Sequence, residues 1–505
     1  MVARPTTRLW PNAVAIIVLL VSAGGALSIV APPAALGADA SVDSATLTYG
    51  AADGEPNDLT ISLADPTFTL TDPGATITAG AGCTTVNANE VTCDATGVTA
   101  IAVTLGDMDD SASVAPAIDT SIEGGPGADT LTGGPGDDVF LEGAGPTGAD
   151  TFDGGPGVDT VDYSGRSGAV SVTLGSGADD GEAAEGDDVG VSVENALGGS
   201  GADTIDASAA GGVPHSLVGN GGNDALTGGS GPDTLTGGPG ADSLTGGPGA
   251  DDVSGGPGED TLDEGPSPSG ADALSGGDGS DSVSYAGRTA AVSISPDGAS
   301  NDGENGESDN VATDVETLIG GSGADTIDAS AAGGVPHSLV GNGGNDALTG
   351  GSGPDTLAGG PGDDAEIGGP GDDTFSQGAS VDGSDTIRGG AGSDSVSYGD
   401  RHGPVTLSTD GVANDGADGE LDDIGADVET LAGGFGDDHF DQGATRNGPQ
   451  LMIGGPGVDT VSYAARPRAV AVTLTAALGD DGEPGEGDGT ITVEEAIQQM
   501  KADQA

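Results

Sequence analysis

The chain has 505 residues, among them 99 Gly and 83 Asp or Glu but only 10 Lys or Arg, for a formal net charge of −73. So little aromatic matter (2%) against so much like charge excludes an ordinary globule built round one large mixed core. It also excludes nucleic-acid binding through phosphates and attraction to anionic lipid, since both need basic patches.

Residues 1–40 read as an export signal. Arg4 and Arg8 form a sparse basic start, Ala13–Val21 is an uninterrupted apolar run, and Ala38-Asp39-Ala40 offers a small-residue cleavage site. Cleavage after Gly37 is the alternative to cleavage after Ala40. An uncleaved anchor is a further reading, because apolar and small residues continue to Ala31, long enough to cross a bilayer. Gly24, Gly25 and the pair Pro32-Pro33 favour cleavage. The expectation is a secreted, extracellular or cell-surface protein with no membrane span once the signal is removed.

Residues 41–123 alternate short β-type runs with Gly, Pro, Asp and Asn turns, which predicts a small all-β N-terminal unit capping the remainder of the chain. The two cysteines of the chain, Cys83 and Cys93, flank the turn signal Asn87-Ala88-Asn89 within a predicted hairpin. In an exported chain that placement favours a Cys83–Cys93 disulfide over free thiols.

From Gly124 the chain advances in steps of nine. Gly124-Gly-Pro-Gly-Ala-Asp-Thr-Leu-Thr is followed at once by Gly133-Gly-Pro-Gly-Asp-Asp-Val-Phe-Leu. Eighteen such nonapeptides carry Gly at position four and Asp at position six; all but one carry an apolar residue at position eight, the exception being Glu366. Twelve-residue variants, such as those starting at Glu142, Ala207 and Glu264, sit among them as widened turns. A second motif starts at Tyr163, Tyr285, Tyr398 and Tyr463, each followed three residues later by Arg, then an alternating strand and an acidic loop. It divides the repeats into blocks at 124–197, 198–319, 320–432 and 433–493, with a tail at 494–505. Gly198–Leu235 and Gly320–Leu357 are identical, a duplication that stacked repeats tolerate because each unit touches only its neighbours.

The nonapeptide divides its labour. Positions one to six hold too much Gly to keep any shape alone, but Gly lets the loop curl with its carbonyls inward. Positions seven to nine make a very short strand with position eight facing the interior. Two units would form one flattened turn, and stacking turns would bring the position-six carboxylates of every second repeat together. Bare carboxylates there repel; Ca2+ accepts roughly six to eight carboxylate and carbonyl oxygens in flexible geometry, whereas Mg2+ demands a tighter octahedron. Softer metals want His or Cys, of which the chain has four and two.

This GGxGxDxUx pattern resembles the hemolysin-type, or repeats-in-toxin (RTX), calcium-binding repeat. The Tyr-x-x-Arg and acidic-loop segments resemble those of multi-repeat secreted actinobacterial proteins. The resemblance implies an all-β fold, a parallel β-roll or β-solenoid with its small N-terminal cap, and Ca2+ held between loops of repeats i and i+2. Carried over residue by residue, the implied metal ligands are Asp129, Asp138, Asp159, Asp203, Asp224, Asp233, Asp242, Asp251, Asp260, Asp281, Asp325, Asp346, Asp355, Asp364, Asp373, Asp394, Asp438 and Asp459. Multiple Ca2+ ions are the expected cofactor, and cell-surface or matrix polymers the further partners.

The chain departs from the family's toxins and proteases: it has no HExxH zinc motif and no separate catalytic domain. It therefore reads as a non-enzymatic calcium-binding element that folds on meeting Ca2+ outside the cell. The rival class is a polysaccharide-modifying solenoid enzyme of epimerase or lyase type, which needs clustered acid, base and charge-neutralising groups. His215 and His337, at matching places in the duplicated segment, read as copied turn residues. The Tyr-x-x-Arg pairs read as structural, each Arg neutralising nearby carboxylates. The acidic loops (Asp179–Asp188, Asp302–Asp309, Asp415–Asp423, Asp480–Asp488) stand between extra calcium sites and solvated turns; none has EF-hand spacing.

Overall fold

The computed structural model describes residues 37–175, 177–443 and 450–468. The signal up to Leu36, the strand expected at Val470–Leu474, the last acidic loop and the tail lie outside them. Among the described residues there is no helix, and the strands form five sheets of 13, 8, 14, 7 and 4 strands. The fold is a parallel β-roll of nonapeptide turns.

Local chemistry explains its grain. In Gly237–Thr245, Gly and Pro make the bend and Ser243–Thr245 the strand, with Leu244 fully buried between polar neighbours that face outward. Successive strands alternate between two facing sheets, so each pairs in parallel with the strand two repeats away. Leu244 lies level with Leu226 before it and Leu262 after it, while Leu235 on the opposite sheet lies level with Leu217 and Val253. Position eight therefore stacks on position eight, and the core is a narrow aliphatic ribbon. Glu366 occupies the same interior place between Leu348 and Ile387 and is fully buried. It accepts hydrogen bonds from the Gly359 N–H (2.8 Å) and the Gln377 amide (2.7 Å), and burial pushes its carboxyl up to about 8.

The N-terminal strands join the same stack. Thr46–Gly50 pairs in parallel with Ala100–Thr104, which pairs with Thr120–Glu123, which pairs with the first-block strand Val139–Leu141. Cys83 and Cys93 form a disulfide between the antiparallel strands Cys83–Asn87 and Glu90–Asp94.

The Tyr-x-x-Arg segments that start at Tyr163, Tyr285 and Tyr398 are joints at which one of the two facing sheets is exchanged. At the first, Val170–Thr173 opens the 14-stranded sheet, Asp188–Val189 closes the 8-stranded one, and Asn195–Leu197 continues the 13-stranded one opposite. A buried carboxylate bridges the exchange: Asp180 accepts the Thr173 N–H on Oδ1 (2.6 Å) and the Val189 N–H on Oδ2 (2.9 Å). Asp302 does the same for Ser295 and Val311, and Asp415 for Ser408 and Ile424. One carboxylate thus satisfies two backbone donors that the broken ladder would leave unpaired.

In these three joints the Tyr and Arg side chains are engaged within the fold. The Tyr285 hydroxyl donates to Asp309 Oδ2 (2.8 Å), and Arg288 makes a two-pronged contact with Glu307, both distances 2.9 Å. Its other donors take the carbonyls of Glu264 and Gly265. Arg166 pairs with Glu142 and Glu185, Arg401 with Glu420 and Asp382, each Arg lying over its own Tyr ring. The first three acidic loops are therefore only partly solvated, because Asp180, Asp187, Asp302, Asp309, Asp415 and Asp422 are buried and hydrogen-bonded within the joints.

Candidate metal centre

All eighteen position-six aspartates are buried along the loop edges of the roll. Their carboxylates are strung together through the backbone. The Asp224 N–H donates to Asp242 Oδ1, the Asp242 N–H to Asp260 Oδ1 and the Asp260 N–H to Asp281 Oδ1, at 2.8 to 2.9 Å. The opposite edge repeats this from Asp233 to Asp251 and from Asp251 to Asp272. In the third block Asp346, Asp364 and Asp385 form one such ladder, and Asp355, Asp373 and Asp394 another. Asp459 accepts the Asp438 N–H (3.0 Å).

The second carboxylate oxygen is treated differently. Among the described residues, Oδ2 has no hydrogen-bond partner in twelve of the eighteen: Asp129, Asp138 and Asp159 in the first block, Asp224, Asp242, Asp251, Asp260 and Asp281 in the second, and Asp346, Asp364, Asp373 and Asp394 in the third. A buried anionic oxygen without a donor is costly. Burial is accordingly the largest influence on these groups, pushing the carboxyl of Asp242 up to about 6 and those of Asp129 and Asp251 up to about 7.

The glycines show what surrounds that oxygen. A Cβ added at Gly237 would meet Asp242 Oδ2 at 2.3 Å and the Gly255 carbonyl oxygen at 2.7 Å; at Gly219 it would meet Asp224 Oδ2 and the Gly237 oxygen at the same distances. A cradle lined by one carboxylate oxygen and one carbonyl oxygen from the next turn thus recurs at position one. At position four a Cβ on Gly240 would fall 1.3 Å from the Gly222 oxygen, so only Gly lets successive loops approach this closely. The donor set is hard oxygen throughout, which suits Ca2+.

Five of the other six differ. Asp203, Asp233, Asp325, Asp355 and Asp438 accept the N–H of the position-two Gly of their own loop on Oδ2, at 2.6 to 2.9 Å, and so have both oxygens engaged. Several ladder members have no nonapeptide signature. Asp150, Asp272 and Asp385 come from twelve-residue variants and occupy the position-six place; Glu194, Glu316 and Glu429 terminate ladders at the joints. The signal for the first three was an Asp placed immediately before the strand of their own widened units. Asp110, one turn ahead of the first repeat, also has an unpartnered Oδ2, although Leu105 stands where the repeats have Gly.

Two further acidic groups bring ligand atoms within 4.8 Å of one another: Glu142 with Glu185 and Asp187, and Glu264 with Asp272 and Asp309. Both belong to the joints, where Arg166, Arg288 and the Tyr hydroxyls engage them. His215 is buried with Nδ1 3.0 Å from Asp233 Oδ1, and His337 stands 3.6 Å from Asp355.

Eight segments match the family model described as RTX calcium-binding nonapeptide repeat (4 copies): residues 119–146, 143–165, 216–235, 227–262, 269–285, 313–332, 340–375 and 381–400. The chain is an RTX calcium-binding repeat protein. The RTX matches stop at residue 165 and resume at 216, and stop again at 285 before resuming at 313, so most of the first two joints falls between them. No curated protein matches the chain. Among the described residues, no helix is long and apolar enough to cross a membrane.

Proposed function

We propose that this RTX protein is an exported, non-enzymatic element that folds as it binds Ca2+ outside the cell, and that the loaded roll serves as a surface, matrix or adhesive rod. The observation that carries the reading is the row of buried, donor-less Oδ2 atoms, of which those of Asp138, Asp224, Asp242, Asp346, Asp373 and Asp394 border a cradle that also holds a backbone carbonyl oxygen. The position-six aspartates with such an oxygen, together with the loop carbonyls, are the residues that would hold the ion. A bound Ca2+ supplies the positive charge that these oxygens lack. One aliphatic side chain per nonapeptide is too little to offset both the chain entropy and the repulsion among carboxylates, so binding and folding become one event.

Export is supported by the sequence of residues 1–40 and by the Cys83–Cys93 disulfide, which suits an oxidising compartment. Of the two cleavage points, the one after Gly37 is favoured. A cut after Ala40 would divide the strand Ala38–Asp43, in which Ala38 and Ala40 are fully buried. The mass of the mature chain distinguishes the two. A non-enzymatic role is supported by the burial of Arg166, Arg288 and Arg401 inside the joints, where each is occupied by carboxylates.

The test is circular dichroism of the purified mature chain in chelator and in millimolar Ca2+. The expected result is a largely unfolded spectrum that converts to β structure as Ca2+ is added. A β spectrum of equal strength in excess EDTA would overturn the reading.

A further inference from the structure

The nonapeptide loops occur in two backbone states. In thirteen of the eighteen, the position-two residue has a positive φ, from +68° at Asn342 to +138° at Gly134. In the five whose Asp has both oxygens engaged, the position-two residues Gly199, Gly229, Gly321, Gly351 and Gly434 are absent from that region. The two observations sort the loops identically. In this closed state the position-two N–H turns inward onto the Asp of its own loop; in the open state it turns away, as at Gly238, which donates to the Gly255 carbonyl at 2.8 Å.

The five closed loops share the kind of segment stacked beneath them and the bond they make to it. Three closed loops rest on a joint and two on a widened turn, so that segment is not a nonapeptide loop. In every case the position-three N–H donates to a carbonyl of the foreign segment: Ser200 to Arg166, Ser322 to Arg288 and Phe435 to Arg401 at 2.8 to 2.9 Å, Ser230 to Gly211 and Ser352 to Gly333 at 3.1 Å. Position three is Ser or Phe in all five, whereas nine of the thirteen open loops have Pro there, which carries no N–H to donate.

Resting on the calcium reading above, we propose that Ca2+ loads the open loops and passes over the five closed ones. An N–H aimed at Oδ2 already supplies the positive partner that a cation would supply, and its hydrogen points into the space the cation would need. Admitting an ion requires that peptide to turn over and the position-three anchor to be given up. Asp203, Asp233, Asp325, Asp355 and Asp438 are thus positioning residues that start the runs of sites beyond the first block, and calcium is held in separate runs divided by joints and widened turns.

Calcium bound per chain, measured by elemental analysis after equilibrium dialysis in saturating Ca2+, tests this on the full mature protein. Asp242→Asn should lose at least one ion; Asp233→Asn should keep the wild-type number. Ser230→Pro, which removes the donor anchoring the closed loop, should gain one. Loss of an ion in Asp233→Asn equal to that in Asp242→Asn would overturn the proposal. If Asp233→Asn does not fold, the Ser230→Pro count decides, and an unchanged number there overturns it. Wild-type protein that takes up no calcium at all would instead overturn the calcium reading itself.

Discussion

The run from Gly237 to Leu262 and the joint from Tyr285 to Glu316 bury carboxylates on the same roll but neutralise them by opposite means. In the run, Asp242, Asp251 and Asp260 each leave one oxygen without a donor, and no Lys or Arg occurs in the segment. In the joint, Asp302, Glu307 and Asp309 receive backbone N–H groups, a Tyr hydroxyl and an Arg. The run is built to take its positive charge from solution, while the joint brings its own. Arg166, Arg288 and Arg401, drawn from only ten cations in the whole chain, lie buried in the joints for this purpose. An acidic loop is not by itself a cation site; what distinguishes one is whether the fold has already supplied its donors.

Removing the internal cation should break the joint most. Arg288→Ala leaves Glu307 buried beside Glu264 with no counter-charge, an expected loss of about 3–5 kcal/mol in unfolding of the calcium-loaded chain. Its bound calcium should stay at the wild-type number, since no run is touched. A loss below about 1 kcal/mol, the value of an exposed pair, would mean that the joint is not held this way.

A smaller effect is expected from pH, again at the joints. Burial pushes the carboxyls of Asp187 and Asp415 up to about 8. The folded state therefore holds their protons more tightly than the unfolded chain does. This contribution to stability is complete below the ordinary carboxyl range, near pH 4, and is lost as pH rises through about 8. With the runs saturated by Ca2+, the melting temperature should fall between pH 6 and pH 9, and fall less in Asp187→Asn. A melting temperature that rises over that window would contradict the assignment.

Much of this was legible from residue order. The three-residue strands, the inward position-eight side chains such as Leu244 and Leu262, and the approach of every second Asp all follow from a nine-residue period with Gly in one part and one aliphatic in the other. The hard-oxygen chemistry was equally plain. Other features were written in the sequence without being readable there. Ser rather than Pro at position three of Gly228–Asp233 marks a closed loop only once the carbonyl of Gly211 is seen beneath it. Asp180 and Asp302 look like solvated acidic-loop residues until two sheets are found to meet across their carboxylates. Glu366 breaks the apolar pattern, and its tolerance in the core depends on Gln377, which arrives from the next turn.

Residue order alone sets the repeat unit, because a nonapeptide's bend, strand and carboxylate follow from local chemistry and recur without reference to the rest of the chain. Which carboxylates remain in need of a cation depends on how the turns are stacked. That property belongs to no single repeat: it depends on whether the turn stacked beneath is another glycine loop, a widened turn or a joint, and so on which N–H groups that neighbour leaves to be shared.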